Sequence, residues 1–201
     1  TDSKDEIFTY DGIEILTNQN YEINKNLSLI EIRKNSFYND LLLNISYERD
    51  TLDLGEDKNP FRSSITIKIP QAISDTLELR QSFIGRVKDE KITYINSKRD
   101  DSYIYAKTSS LGKYIISRDT VKPDIRPINF KQNSNISNKS SIRLRLKDDI
   151  SGIKSYNAFL NGKWALFEYE PKSNLIFHNI SDKIINEGEN ILIINYQDGV
   201  G

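Results

Sequence analysis

Three aspartates near expected turns, Asp148, Asp149 and Asp198, are of a residue type that could hold a metal ion. Carboxylate oxygens are the hard ligands that Ca²⁺ prefers, but the spacing of these residues does not fit an EF-hand loop. An aspartate in a turn also accepts hydrogen bonds from backbone amides, and Gly152 and Gly199 supply the positive φ that such turns favour. Turn capping is the simpler interpretation, and the sequence leads us to assign no metal-binding, cofactor-binding or catalytic residue.

His178 is the only histidine in the chain. A zinc site built on it would need several carboxylate partners and no second imidazole, which is uncommon. His178 could serve as the base of a Ser-His-Asp triad, but no G-x-S-x-G nucleophile turn accompanies it. Because His178 alternates with Ile176 and Ile180 in a predicted strand, we expect it to hold a structural position.

Trp164, Tyr156 and Tyr169 form the possible ligand face of this sequence, since together they could make a platform for a sugar ring. Strand alternation places Trp164 and Leu166 on one face and Phe167 and Tyr169 on the other. A tryptophan beside a hairpin in a β-sandwich more often lies in the core, so we expect Trp164 to be buried. An exposed Trp164 would instead favour a carbohydrate-binding module.

Two short sets of charged residues are weaker indicators of function than the residues above. Glu168 and Glu170 share one face of a predicted strand, and paired carboxylates can catalyse glycoside hydrolysis. An i, i+2 pair on an exposed strand is ordinary, however. Arg143, Arg145 and Lys147 form one side of a strictly alternating strand, and three charges of this kind are typical of a solvated face.

Composition excludes several classes of protein. The 28 basic and 29 acidic residues nearly balance, which argues against nucleic-acid binding. The chain has no cysteine, so disulfides and thiolate metal sites are excluded. No apolar run is long enough to span a membrane. Because the sequence begins at Thr1 without methionine and ends just after a strand-like run, we expect it to be a piece of a longer protein.

The elements that would position these residues are mostly short strands. In the first half of the chain they are predicted at 7–10, 13–16, 27–32, 41–47, 63–70, 77–87, 91–97, 102–108 and 112–119. The segment 182–187 is the best helical candidate, and it is too short to be stable alone. The pattern therefore predicts an all-β protein.

The proline-containing segment DTVKPDIRP (119–127) predicts a connector between two domains, 1–119 and 120–201. In the second domain, Asn161-Gly162 between two apolar-rich runs predicts a β-hairpin with a type I′ turn. About seven short strands at regular spacing are typical of an immunoglobulin-like sandwich. We therefore predict two tandem antiparallel β-sandwich domains, of which the second is immunoglobulin-like.

Four segments carry a family resemblance: DTVKPDIRP, LKDDISGI, LNGKWALFEYEPKSNLIFH and GENILIINYQDGVG. They resemble the immunoglobulin-like C-terminal module of LytM/lysostaphin-type zinc metallopeptidases of Bacteroidetes. The H-x(3)-D and H-x-H zinc signature of that family is absent, since the chain has one histidine. The resemblance thus implies a non-catalytic accessory region of a peptidoglycan metallopeptidase, located in the periplasm or cell envelope.

Such a region would position the peptidase or bind cell wall or a partner protein. The partners that the resemblance implies are the protein's own upstream catalytic domain, cell wall or an envelope protein. Two other hypotheses remain open. One is a carbohydrate-binding or adhesin-type β-sandwich module that uses Trp164 and tyrosines. The other is a metal-assisted enzyme, which requires His178 to converge with Asp148, Asp149 or Asp198.

Overall fold

The computed structural model describes residues 12–180 and 185–201 of the chain. The chain divides into two compact units, Thr1–Arg118 and Asp119–Gly201. The domain boundary predicted from the sequence lies one residue further along. The strand predicted at 7–10 and residues 182–184 of the helical candidate at 182–187 lie outside the described residues, and residues 185–187 are not helical. The described chain is almost entirely β, with antiparallel sheets throughout, which confirms the predicted all-β sandwich class.

The first unit contains twelve described strands and one short helix. They are Ile13–Ile15 (β1), Tyr21–Lys25 (β2), Ser28–Ile32 (β3), Leu41–Leu43 (β4), Ser46–Glu48 (β5), Thr51–Asp53 (β6), Ile65–Pro70 (β7), Thr76–Gln81 (α1), Ser82–Lys88 (β8), Lys91–Ile95 (β9), Ser97–Arg99 (β10), Tyr103–Thr108 (β11) and Lys113–Arg118 (β12). Two five-stranded sheets have the orders β10-β11-β7-β3-β2 and β5-β6-β12-β8-β9, and β1 pairs with β4.

The core of the first unit follows from strand alternation. On β7, Ile65, Ile67 and Ile69 are buried while the residues between them are partly exposed. Leu52 and Tyr114, from the other five-stranded sheet, belong to the same buried cluster. Because side chains of both large sheets share one core, the unit is a β-sandwich.

The helix α1 corrects the prediction of a single strand over 77–87. Asp75 caps its N-terminus, because the carboxylate Oδ1 accepts a hydrogen bond from the Glu78 backbone N–H at 2.8 Å. An aspartate followed three residues later by a glutamate is a helix-start pattern, and this local signal overrides the apolar run. The strand β8 begins only at Ser82.

Tyr114 is the largest fully buried side chain among the described residues of the first unit. Its hydroxyl lies 2.9 Å from Thr108 Oγ1 and donates to the carbonyl oxygen of Ser110. Burial raises the pKa of the Tyr114 phenol above its ordinary value, although the Thr108 hydrogen bond acts in the opposite direction. The folded first unit therefore holds the phenol in its neutral form.

The second unit contains seven described strands and one 3₁₀ turn. They are Asp124–Pro127 (β13), Ser141–Lys147 (β14), Ile153–Leu160 (β15), Lys163–Ala165 (β16), Glu168–Glu170 (β17), the turn Pro171–Ser173, Leu175–Asn179 (β18) and Leu192–Asp198 (β19). Four strands form one sheet in the order β13-β14-β18-β17, and three form the other in the order β16-β15-β19. Four and three strands are the division expected for an immunoglobulin-like sandwich.

The hairpin β15–β16 has the predicted turn. Asn161 and Gly162 both have positive φ, 52° and 76°, and Leu160 pairs with Lys163 to close the turn. On β14, Ile142, Leu144 and Leu146 point into the core, as the alternation predicts. They share one buried cluster with residues of the three-stranded sheet. Among the described residues of the whole chain, no helix has the length and apolar character needed to cross a membrane.

Candidate functional site

Trp164 is exposed, so the expectation of a core tryptophan is wrong. It lies on β16, and 58% of its surface is accessible to solvent. The next residue, Ala165, is buried and occupies the inward position of the short strand. Because successive side chains of a strand alternate between faces, Ala165 directs Trp164 to the outer face of the three-stranded sheet. The exposure that the carbohydrate-binding hypothesis requires is therefore present.

β16, the hairpin partner of β15, pairs with only the second half of that strand. Pairing between β15 and β16 stops at Ala158 and Ala165. The chain then crosses through Leu166 and Phe167 to β17, which pairs with β18 in the other sheet. Within the described chain, residues 153–157 consequently have a strand neighbour only on the β19 side. An unpaired strand edge offers backbone donors and acceptors to a ligand or partner.

A groove of about 320 Å³ lies at this open edge, and we call it the Trp164 groove. Its walls are residues 153–158 of β15 on one side and the segment from Trp164 to Phe167 with Tyr169 on the other. All three residues of the possible ligand face, Trp164, Tyr156 and Tyr169, line it. The structure thus brings them together, although Trp164 and Tyr169 lie on opposite faces of their segment.

The tyrosines of the Trp164 groove are held in fixed positions. The Tyr156 hydroxyl donates to the backbone carbonyl oxygen of Phe167 at 2.7 Å. The Tyr156 and Tyr169 rings meet edge to face, with centroids 5.9 Å apart. Burial raises the pKa of the Tyr156 phenol, and electrostatic interactions with the neighbouring Tyr169 and Glu168 add to the effect. Tyr156 is therefore neutral at physiological pH.

His178 supports the crossover segment from inside the sandwich. It is 1% exposed, its Nδ1 lies 2.8 Å from the carbonyl oxygen of Leu166, and its ring stacks on Phe167 with centroids 5.3 Å apart. These contacts hold the two residues at which the chain changes sheets. His178 occupies a structural position, as its alternation with apolar residues predicts.

Three carboxylates of the second unit do converge. Oxygen atoms of Asp119, Asp148 and Asp198 lie within 4.8 Å of one another, and Asp119 is 2% exposed. This is the only such group found among the described residues, and it contains neither His178 nor Asp149. Asp149 instead points outward and forms an ion pair with Lys147. The convergence with His178 that the metal-assisted enzyme hypothesis requires is therefore not found in the described chain.

Each carboxylate of this cluster caps a turn. Asp148 Oδ1 accepts hydrogen bonds from the backbone amides of Ile150, Ser151 and Gly152 at 3.0, 2.8 and 2.7 Å. The other two aspartates act in the same way: Asp198 Oδ1 accepts from Val200 and Gly201, and Asp119 accepts from Val121 and Ser151. Oxygen ligands of this kind could hold a hard cation, but the contacts in the structure are those of turn caps.

The charged pairs of the sequence lie together on the outer face of the four-stranded sheet. Strand register places Arg143 beside Phe177 and Phe177 beside Glu168. One step along, Arg145, Leu175 and Glu170 form the same kind of row. A shallow depression of about 610 Å³ lies over these rows. Arginines thus face glutamates across an apolar strip, a juxtaposition that sequence spacing does not reveal.

A family model described as a Zu5-like domain matches residues 14–119, which is just over half of the chain. The chain belongs to the Zu5-like domain family. No curated protein and no solved structure gives a match to it. The matched residues cover nearly all of the described first unit and extend one residue into the second, to Asp119. The rest of the second unit, with the Trp164 groove, lies outside the match.

Within the Zu5-like domain, one polar network joins two loops. The Arg86 guanidinium donates to Asp57 Oδ2 at 2.6 Å and to the carbonyl oxygen of Leu111 at 3.0 Å. Asp57 Oδ1 in turn accepts from the Leu111 backbone N–H at 2.9 Å. The arrangement closes a ring of hydrogen bonds and fixes loop positions. It has the character of a structural contact.

Sequence reasoning missed two features of the second unit. The sequence places Asp119 in a proline-containing connector, whereas its carboxylate caps the turn at Ser151 from 32 residues away in sequence. The open half of β15 was also missed. No break in the sequence marks it, because the run KWALFEYE continues past Ala165, where β16 ends in the structure.

Proposed function

We propose that this chain is a non-catalytic accessory region of a bacterial cell-envelope peptidoglycan metallopeptidase. In this proposal the second unit binds cell wall or a partner protein in the periplasm or envelope, and so positions an upstream catalytic domain. The observation that carries the proposal is the exposed Trp164 beside an open strand edge, in a groove that also contains Tyr156 and Tyr169. Exposed aromatic residues in a groove are typical of binding sites.

The resemblance to the metallopeptidase module supports the proposal because its motif residues build this part of the molecule. The Asn161-Gly162 turn places Trp164, and Asp148 of the DDISGI segment caps the loop that leads into β15. The only histidine is buried behind the crossover segment. These residues therefore shape a surface, and in our proposal the chemistry belongs to a domain outside this sequence.

The identity of the parent protein is tested by the complete open reading frame around this sequence, together with the intact mass of the native protein. We expect an upstream domain with the H-x(3)-D and H-x-H zinc signature. A complete reading frame without that signature would contradict the metallopeptidase assignment.

Cell-wall binding is tested separately by co-sedimentation of the full chain with purified peptidoglycan sacculi. We expect the chain to sediment, and the Trp164→Ala variant to sediment much less. Tyr38→Ala is the matched control, because Tyr38 is an exposed aromatic residue of the first unit, at 62% accessible surface. It should behave as the unaltered chain does. A chain that remains in the supernatant at every concentration would refute cell-wall binding.

The second candidate function is a carbohydrate-binding or adhesin-type module. Its supporting observation is the exposure of Trp164, since a buried tryptophan could not contact a sugar ring. This candidate needs no parent peptidase. It would be favoured if the reading frame lacked the zinc signature while glycan binding depended on Trp164.

A further inference from the structure

The outer face of the three-stranded sheet carries an apolar row that crosses all three strands. Strand register places Phe159 of β15 between Trp164 of β16 and Ile193 of β19. Trp164 and Ile193 are exposed, and Phe159 is half-buried between them. Because neighbouring strands lie about 4.8 Å apart, the row extends over roughly 10 Å. We call these three residues the aromatic row.

Amide and hydroxyl side chains lie beside the aromatic row on the same face. Two residues along the strands, Asn157 pairs with Asn195, and beyond them Ser155 pairs with Gln197. All four are exposed. Ser155 and Gln197 are within 3.4 Å of each other, whereas the Asn157 and Asn195 side chains make no hydrogen bond to another residue of the described chain. Their donors and acceptors are thus directed to solvent.

The aromatic row and the amide rows are uncharged, and this decides the kind of ligand that they suit. One exposed cation, Lys154, lies next to Ser155 on β15. None of the side chains in the aromatic row or the amide rows is ionisable. The outer face of the other sheet differs, since Arg143, Arg145, Glu168 and Glu170 lie there. A nucleic acid or an anionic lipid surface would require cationic side chains. A neutral ligand rich in hydroxyl groups matches apolar side chains flanked by amides.

We infer that this face binds a neutral glycan chain, with a sugar ring stacked on Trp164. The apolar C–H face of a sugar ring would pack on the indole, and the chain would extend along the aromatic row toward Ile193. Hydroxyl or acetamido groups of the sugar would exchange hydrogen bonds with Asn157 and Asn195. This inference rests on the proposed function and specifies it, since the glycan strands of the cell wall are ligands of this class.

A protein partner suits the face less well. Specific protein interfaces bury roughly 800 Å² on each side around an apolar centre. Here Leu166, two residues after Trp164, and Ile191, two residues before Ile193, are also exposed and widen the apolar surface. Exposed amides of β15 and β19 border it directly. A small apolar surface bordered by amides fits a chain of sugar rings more closely.

Trp164 makes the test direct, because it is the only tryptophan and it lies in the aromatic row. The Asn157 and Asn195 variants then separate binding on this face from binding in the Trp164 groove. The full chain would be titrated with chitohexaose and cellohexaose, and with heparin as an anionic glycan. We expect a saturable change in Trp164 emission with at least one neutral oligosaccharide and none with heparin. Each of Asn157→Ala and Asn195→Ala should weaken binding about 3- to 10-fold, the effect of losing one hydrogen bond.

Asn179→Ala is the matched control, since Asn179 is an exposed asparagine on the four-stranded sheet. Its affinity should equal that of the unaltered chain. Equal weakening by all three asparagine variants, or an emission change with heparin alone, would overturn the inference.

The sacculus assay separates this inference from the proposed function. If sacculi are bound but neither neutral oligosaccharide changes Trp164 emission, cell-wall binding stands and the glycan face is refuted. If neither sacculi nor oligosaccharides are bound, both fail. If an oligosaccharide is bound and sacculi are not, the glycan face stands and the cell-wall assignment is refuted.

Discussion

Two neighbouring residues of the crossover segment, Leu166 and Phe167, should respond very differently to truncation. Leu166 is 53% exposed, whereas Phe167 is 2% exposed and stacks on His178. Full burial of a leucine side chain contributes about 1.5–3 kcal/mol. Because half of Leu166 is already in water, Leu166→Ala should lower the free energy of unfolding by about 1 kcal/mol or less. Phe167→Ala empties a core position and should lower it by about 3–5 kcal/mol.

Urea unfolding of the full chain, followed by tryptophan fluorescence, measures both effects. Trp164 lies in the second unit and is retained in both variants, so its emission follows the unfolding of that unit. With a urea slope of about 1–3 kcal/mol/M, the two midpoints should differ by roughly 1 M or more. Leu77→Ala is the control, because Leu77 is exposed on α1 of the first unit and should leave this midpoint unchanged.

Equal midpoints for Leu166→Ala and Phe167→Ala would refute the assigned geometry. Leu166 would then belong to the core, and the wall of the Trp164 groove would not be a surface. A large loss of stability in Leu166→Ala alone would mean that the inward and outward faces are assigned the wrong way round. Trp164 would then lie in the core. The same experiment therefore tests the placement on which both functional proposals depend.

Two further predictions concern the turn caps and the buried phenol. Asp148→Ala removes the acceptor of three backbone amides and should destabilise the second unit by about 1–3 kcal/mol. Asp149→Ala should change stability by less than about 0.5 kcal/mol because it loses only a surface ion pair with Lys147. Both are measured by urea unfolding with Trp164 emission, and a stabilised Asp148→Ala would mean that repulsion from Asp119 and Asp198 outweighs capping. For Tyr114, the folded state raises the phenol pKa above 10.0, so the folded state binds this proton more tightly than the unfolded state does. The resulting stability is present below about pH 10 and is lost as the pH rises through the folded pKa. Urea unfolding followed by circular dichroism should therefore show a steeper loss of first-unit stability between about pH 9 and pH 11 in the unaltered chain than in Tyr114→Phe. Parallel losses would contradict the assignment to Tyr114.

Local patterns in the sequence predicted much of the fold. The alternation of Ile142, Leu144 and Leu146 identified a half-buried strand, and Asn161-Gly162 identified a hairpin whose turn has positive φ at both positions. Both signals act within a few residues, because strand periodicity and turn geometry are local properties of the backbone. The helix at Thr76–Gln81 was missed although its cap, Asp75, is equally local.

The candidate site was predicted only in part. Trp164, Tyr156 and Tyr169 were identified by residue type, and all three line one groove. The burial of Trp164 was predicted wrongly, because alternation assigns residues to two faces without specifying which face is covered. Asp119 was not connected with Asp148 and Asp198, since their convergence depends on turns far apart in sequence.

By itself, the sequence determined that the chain is all-β, that it has no cysteine chemistry, and that a tight hairpin presents Trp164. Tertiary structure alone decided what that hairpin exposes. At Leu166 and Phe167 the chain leaves one sheet for the other, which opens half of β15 and leaves the aromatic row facing solvent. The physical reason is that side-chain alternation is set by the local backbone. Which side of a sheet is covered depends instead on where distant strands pack.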